Sequence, residues 1–196
     1  MNDMKHSALN VEQSTVTKLL ITGVDGLDPI TVFLEDHEPG RGSLTIRCHQ
    51  QSWSGAWGAM GEGRKVADFV RSCTPDYLIG SLYPQLRSVR FSSDGLIQMA
   101  QRCVLDRRRN RNRSEWNWAE QFDKREARAL FNEVLDLRGC SSAECWHHHV
   151  LLTKLFGCEW WHKADEATER NPDWDYLERI LDAVQYGLKQ AQGATA

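Results

Sequence analysis

A change of periodicity near Gly63 constrains this chain more than any other feature, because alternating apolar residues give way there to apolar residues at helical spacing. Before it, Ile30, Val32 and Leu34 alternate with Thr31, Phe33 and Glu35, and β-branched residues are frequent. This predicts strands at 16–22, 30–36 and 44–49. The runs between them, 23–29 and 38–42, carry the glycine and proline of tight turns. Connections this short imply an antiparallel meander. The stretch from Trp53 to Trp57 is a candidate fourth strand, and Gly58, Gly61 and Gly63 leave its end undefined.

After Gly63 the pattern is helical. Val66, Phe69 and Val70 share one side of a helix over 65–73, and Thr74, Pro75 and Asp76 start a second; both are expected to cap the sheet. Ser92 or Ser93 opens a helix carrying Leu96, Ile97, Ala100 and Val104. Asp123 and Glu126 form a capping-box-like start before Ala127, Leu130, Phe131 and Val134, with Gly139 placed to end the segment. Ser141 and Glu144 repeat that logic for a continuous helix through Trp146, Val150 and Phe156, which Gly157 ends. Asn171, Pro172 and Asp173 start a last helix with a stripe of Leu177, Ile180, Leu181, Val184 and Leu188. The expected fold is α+β. Residues 14–63 form a three- to four-stranded antiparallel sheet, and residues 64–192 form a helical subdomain of five to six helices packed on it as one cooperative unit. Residues 1–13 read as a disordered tail.

Of 196 residues 41% are hydrophobic and 26% charged, which is a globular balance. No run approaches the roughly 18 apolar residues of a membrane span, and the first residues lack a signal peptide's order. The expectation is a cytoplasmic protein of a bacterial host cell, with no membrane partner and with Cys48, Cys73, Cys103, Cys140, Cys145 and Cys158 as free thiols. The net charge of −3 is uneven: residues 64–139 carry a net +5 between flanks of −4 each.

The densest charge is the run Arg107, Arg108, Arg109, Arg111 and Arg113, followed by Trp116 and Trp118. Guanidinium groups neutralise phosphates and indoles stack on bases, so these seven residues are the candidate site for a partner protein or for nucleic acid. A helix end whose arginines meet its own C-terminal dipole is the competing reading. Cys140, Cys145, Cys158 and His162 have the residue types of a zinc site, but an intervening helix holds Cys145 and Cys158 apart; whether they bind zinc stays open. His147, His148 and His149 are successive helix positions and do not converge. Asp25, Asp28, Glu35, Asp36 and Glu38, with His37 and His49, fall in or beside the sheet turns, where aspartate serves local hydrogen bonding. No nucleophile elbow or phosphate-binding loop is present, so no catalytic residue, metal or cofactor is expected, and the chain reads as a non-enzyme.

The wording of the chain at 21–36 and 39–42, leading to Trp53 and Trp57, and again at 156–162 and 171–177, resembles accessory proteins encoded by temperate phages and plasmids, a group with no assigned activity. The resemblance covers about half of the chain and implies context: a small protein that modulates host systems. Two classes follow. One is an inhibitor or remodeller of a host protein or ribonucleoprotein complex, such as an anti-CRISPR or other anti-defence protein. The other is a nucleic-acid-binding accessory factor for replication or recombination, using 107–113.

Overall fold

The alternation at 30–35 becomes the centre of a four-stranded antiparallel sheet in the computed structural model, which describes residues 13–110 and 121–193. Strands β1 (Thr17–Ile21), β2 (Ile30–Glu38), β3 (Arg41–Cys48) and β4 (Gln51–Trp57) pair in chain order, so the fourth strand forms and the meander is as expected. Register places Leu19 beside Val32, Val32 beside Ile46 and Ile46 beside Trp53, one row across the inner face. On the outer face Lys18, Phe33, Thr45 and Ser54 form the matching row, and the Thr45 and Ser54 hydroxyls bond at 2.9 Å. A slip of one residue would exchange these faces, so burial of Ile30, Val32 and Ile46 fixes the pairing.

Among the described residues seven α-helices follow: α1 (Val66–Ser72), α2 (Pro75–Leu82), α3 (Ser93–Arg108), α4 (Lys124–Glu133), α5 (His149–Phe156), α6 (Trp160–Glu166) and α7 (Pro172–Gly193). Two three-residue strands, β5 (Val89–Phe91) and β6 (Thr168–Arg170), pair with each other. The chain divides into two compact units, one from the residues up to Leu86 with those from Asp173 onward, the other from Arg87 to Pro172. This division leaves the change of periodicity at 63/64 inside the first unit. Its physical cause is the sheet's inner face: α1, α2 and the α7 stripe of Leu177, Ile180, Leu181, Val184 and Leu188 share one core with Ile30, Val32, Leu44 and Ile46. Each large aliphatic side chain so buried contributes about 1.5–3 kcal/mol.

Polar groups fix these helices in the first unit. A bulge between Asp36 and Glu38 leaves the Asp36 carboxylate to accept from the Val66 N–H at 2.7 Å, satisfying an orphan donor at the start of α1. At the other end of α1, the Gln185 amide of α7 donates to the Val70 and Cys73 carbonyls, each at 2.8 Å. Gly42 of β3 is buried where a Cβ would run into the Val66 side chain and the Glu35 carbonyl, so this crossing of helix and strand requires glycine.

The second unit has its own core, in which Leu96, Val104, Leu130, Val134, Leu152, Leu155 and Trp160 are buried together. Its helix starts follow the expected caps. The Ser92 hydroxyl accepts from Gly95 N–H at 3.1 Å, Asp123 accepts from Arg125 and Glu126 N–H at 2.7 Å, and Ser141 and Glu144 bond reciprocally, Ser141 N–H to the carboxylate at 2.7 Å. That last box opens a 3-10 turn, Glu144–His148, ahead of α5, where one continuous helix was expected. The ends of the unit are zipped together. Beyond the β5–β6 ladder, Asn171 N–H donates to the Ser88 carbonyl and its side-chain amide to the Arg87 carbonyl, both at 2.9 Å, while Glu169 accepts from Arg90 and from Ser92. No helix among the described residues is long and apolar enough to cross a membrane.

Two outcomes follow from these contacts. Gly42→Ala overpacks the α1 crossing and lowers unfolding free energy by about 1–3 kcal/mol, read as a lower urea midpoint at unchanged slope; an unmoved midpoint would refute the steric account. The Glu169 carboxyl lies below the usual carboxylate range, held there first by the Arg90 hydrogen bond and then by Ser92. A depressed folded value means the stabilisation is present above the unfolded pKa and is lost as pH falls through the folded one. Glu169→Gln should therefore make the loss of stability below about pH 5 shallower than in wild type in acid titrations followed by circular dichroism.

Candidate functional site

The arginine run begins inside a helix and leaves it at once. α3 ends at Arg108, and Arg109 is its C-cap. Arg107 is turned inward: only 7% exposed, it donates to the Lys154 carbonyl at 2.6 Å and lies over the Phe122 ring at 3.7 Å. A cation there meets the orphan carbonyls and the negative dipole end of α5. Arg107 thus serves the fold of its unit, as the competing sequence reading allowed for a helix-end arginine, although the helix end it serves is that of α5. Arg108 and Arg109 are exposed. Arg111, Arg113, Trp116 and Trp118 lie outside the described residues.

Arg108 instead joins residues that the sequence reading had not grouped with it. A cleft of about 390 Å³ between α3 and α4 has a floor of Leu105, Ala127 and Phe131 and a rim that includes Arg108, Lys124 and Arg128. Lys124 and Arg128 are four residues apart and Phe131 three further on, so one face of α4 presents all three. That spacing was legible, but the pairing with Leu105 and Arg108 required the packing of two helices. The Gln121 amide donates to the Arg108 carbonyl at 2.9 Å and fixes the main chain at the rim. Arg108, Lys124 and Arg128 form no ion pair among the described residues, whereas Arg41, Arg71, Arg90, Lys154 and Lys163 each have a carboxylate partner.

The eight tryptophans, alike in the sequence, separate by exposure. Trp53, Trp57 and Trp160 are buried. Trp146 is 57% exposed and Trp161 37%, and their rings stack at 6.1 Å and 19° over the edge of Trp160. Val150, one helical turn beyond Trp146, is 70% exposed. A patch of this kind keeps large apolar faces in water, which is the property that makes tryptophan an anchor in protein interfaces. His147 and His162, both exposed, and half-buried His148 surround these residues in the chain.

The remaining candidates do not assemble a catalytic or metal centre among the described residues. The Cys140 and Cys145 sulfurs lie 3.7 Å apart, but no group of three or more potential ligands forms, and Cys158 is exposed on its own. Burial, and then the hydrogen bond to Cys140, push the Cys145 thiol up to about 12, so it stays protonated and is a poor ligand or nucleophile at neutral pH. The sheet carboxylates are used locally: Asp36 caps α1, Glu38 pairs with Arg41, Asp28 faces His49 at 3.5 Å and Glu35 faces His37 at 3.8 Å. A second cleft, of about 460 Å³ in the sheet unit, is lined by Ser52, Trp53, Ser54, Tyr83, Asp173 and Tyr176. The hydrogen bond with Cys48 raises the Tyr176 phenol to about 12, which keeps it a neutral hydrogen-bonding group.

The inward turn of Arg107 separates it from its neighbours experimentally. Arg107→Met should cost about 1.5–3 kcal/mol, because two α5 carbonyls lose a charged donor. Arg109→Glu should stay within about 0.5 kcal/mol of wild type. Thermal melts that rank the two variants the other way would place Arg109, not Arg107, in the fold.

A model described as a phage family matches residues 9–190. No curated protein and no solved structure matches the chain. The match takes in both units and nearly all of the 196 residues, and the resemblance to phage proteins read from 21–42 and 156–177 agrees with it. The chain belongs to this phage family.

Proposed function

We propose that this phage protein is a non-enzymatic accessory factor that binds a host protein or ribonucleoprotein complex and inhibits or remodels it, a defence assembly such as a CRISPR effector being the partner class. The observation that carries this reading is the stacked, water-exposed pair Trp146 and Trp161, with exposed Val150 four residues after Trp146 in the chain. In a unit whose large apolar side chains mostly pack into one core, Trp146 and Trp161 pack against Trp160 and still leave 57% and 37% of their surface in water. Desolvating them against a partner releases that surface, and tryptophan contacts of this kind depend little on ionic strength. The absence of a catalytic role is part of the proposal. The cationic cleft is a separate surface with a separate ligand chemistry.

The test is capture from bacterial host lysate on immobilised full-length protein, with and without nuclease and at two salt concentrations. A stoichiometric protein that survives both treatments and is lost with Trp146→Ala/Trp161→Ala is the expected result; hot-spot truncations of about 2 kcal/mol each weaken binding at least 30-fold. Failure to recover any protein that survives both treatments, or equal capture by the double variant, would overturn the reading.

A further inference from the structure

We propose that the cleft between α3 and α4 is a binding site for single-stranded nucleic acid, with Arg108, Lys124 and Arg128 holding phosphates and Phe131 stacking against a base. The charge argument comes first. Arg108, Lys124 and Arg128 surround one cleft of about 390 Å³ and are exposed, with no carboxylate among the described residues that line it. The two carboxylates that flank Lys124 and Arg128 on α4 have partners of their own. Asp123 accepts two N–H groups at the start of α4, and Glu126 pairs with Lys154 at 2.7 Å. Three like charges around a low-dielectric concavity repel one another and focus a positive potential into it, so an anion is the ligand that relieves the arrangement.

Shape then selects among anions. The floor is apolar, with Ala127 buried and Leu105 and Phe131 half-buried, and Asn132 adds an amide beside the ring. A free inorganic anion leaves this floor wet. A duplex presents its phosphates outside and its bases inside, and cannot lay a base on Phe131. An acidic peptide supplies carboxylates but no planar apolar body to match the ring. A single strand supplies both halves, phosphates for the cations and an unpaired base for the ring. The volume fits one nucleotide, or two at most, at the lower end of the usual range for ligand pockets of about 300–1,000 Å³. This inference stands apart from the host-protein reading, since Trp146 and Trp161 take no part in it.

The experiment is fluorescence anisotropy of the full-length protein with a labelled oligothymidylate of about 12 nucleotides, the matching duplex, and a labelled glutamate-rich peptide. Single-strand binding is expected to exceed duplex binding. Neutralising about three phosphates releases their counterions, and at a log–log slope of about −0.7 each affinity weakens about 20-fold between about 50 and 200 mM salt. Arg108→Glu/Arg128→Glu should reduce affinity at least tenfold. Phe131→Leu, which keeps apolar packing while removing the ring, should reduce it about tenfold without altering the salt slope. Trp146→Ala/Trp161→Ala should leave binding unchanged. Thermal melts of each variant establish that the fold is retained, and Lys124→Gln, a milder change, serves if the charge reversals unfold it. Equal affinity for duplex and single strand, tighter binding of the acidic peptide, insensitivity to Phe131→Leu, or no binding of any probe at about 50 mM salt would each overturn the proposal.

Discussion

A four-stranded meander has one apolar face, and the way that face is covered decides the rest of this molecule. Ile30, Val32, Leu44, Ile46 and Trp53 cannot remain in water. The two short helices that follow the sheet in the chain bury Val66, Val70, Leu78 and Ile79 against it but share the task with α7, the longest helix. Because α7 comes from the far end of the chain, everything between Leu86 and Asp173 is an excursion that begins and ends at the same unit. Such an excursion is tolerated when its ends are joined. Here the β5–β6 ladder, the double bond of Asn171 to Ser88 and Arg87, and the Glu169 bridge to Arg90 and Ser92 join them.

This topology explains what could and could not be read in advance. Residue types with local physics were legible: Ser92, Asp123, Ser141 and Glu144 cap as expected, and the sheet alternation holds throughout. The return of α7 was not legible, because its stripe is the same stripe whether it covers a sheet or other helices. The three-residue strands β5 and β6 carry too few residues to show a period, and they pair across 77 or more positions of chain. Among the candidate site residues the split was similar. Arg107 and Arg108 are adjacent arginines on one helix, and successive helix positions point about 100° apart, so one enters the core and the other reaches the surface. Composition could mark the segment as basic but could not assign roles within it.

The inserted unit therefore carries two chemically distinct surfaces, both unusual for what they leave unsatisfied. One exposes stacked indoles, the other gathers cations that have no ion-pair partner among the described residues. The sheet unit contrasts with it: there Asp36, Gln185 and Arg179 are tied to main-chain groups, and large apolar residues on the inner face are buried. The proposed recognition surfaces both lie in the inserted unit.

The most direct measurement is site-specific photocrosslinking in infected cells, with a benzophenone amino acid placed at Trp146 and, as control, at Thr45 on the outer face of the sheet. The account predicts a discrete adduct between position 146 and one host protein, and none from position 45. Adducts from position 45 alone, or a featureless smear from both, would contradict the assignment of recognition to the inserted unit.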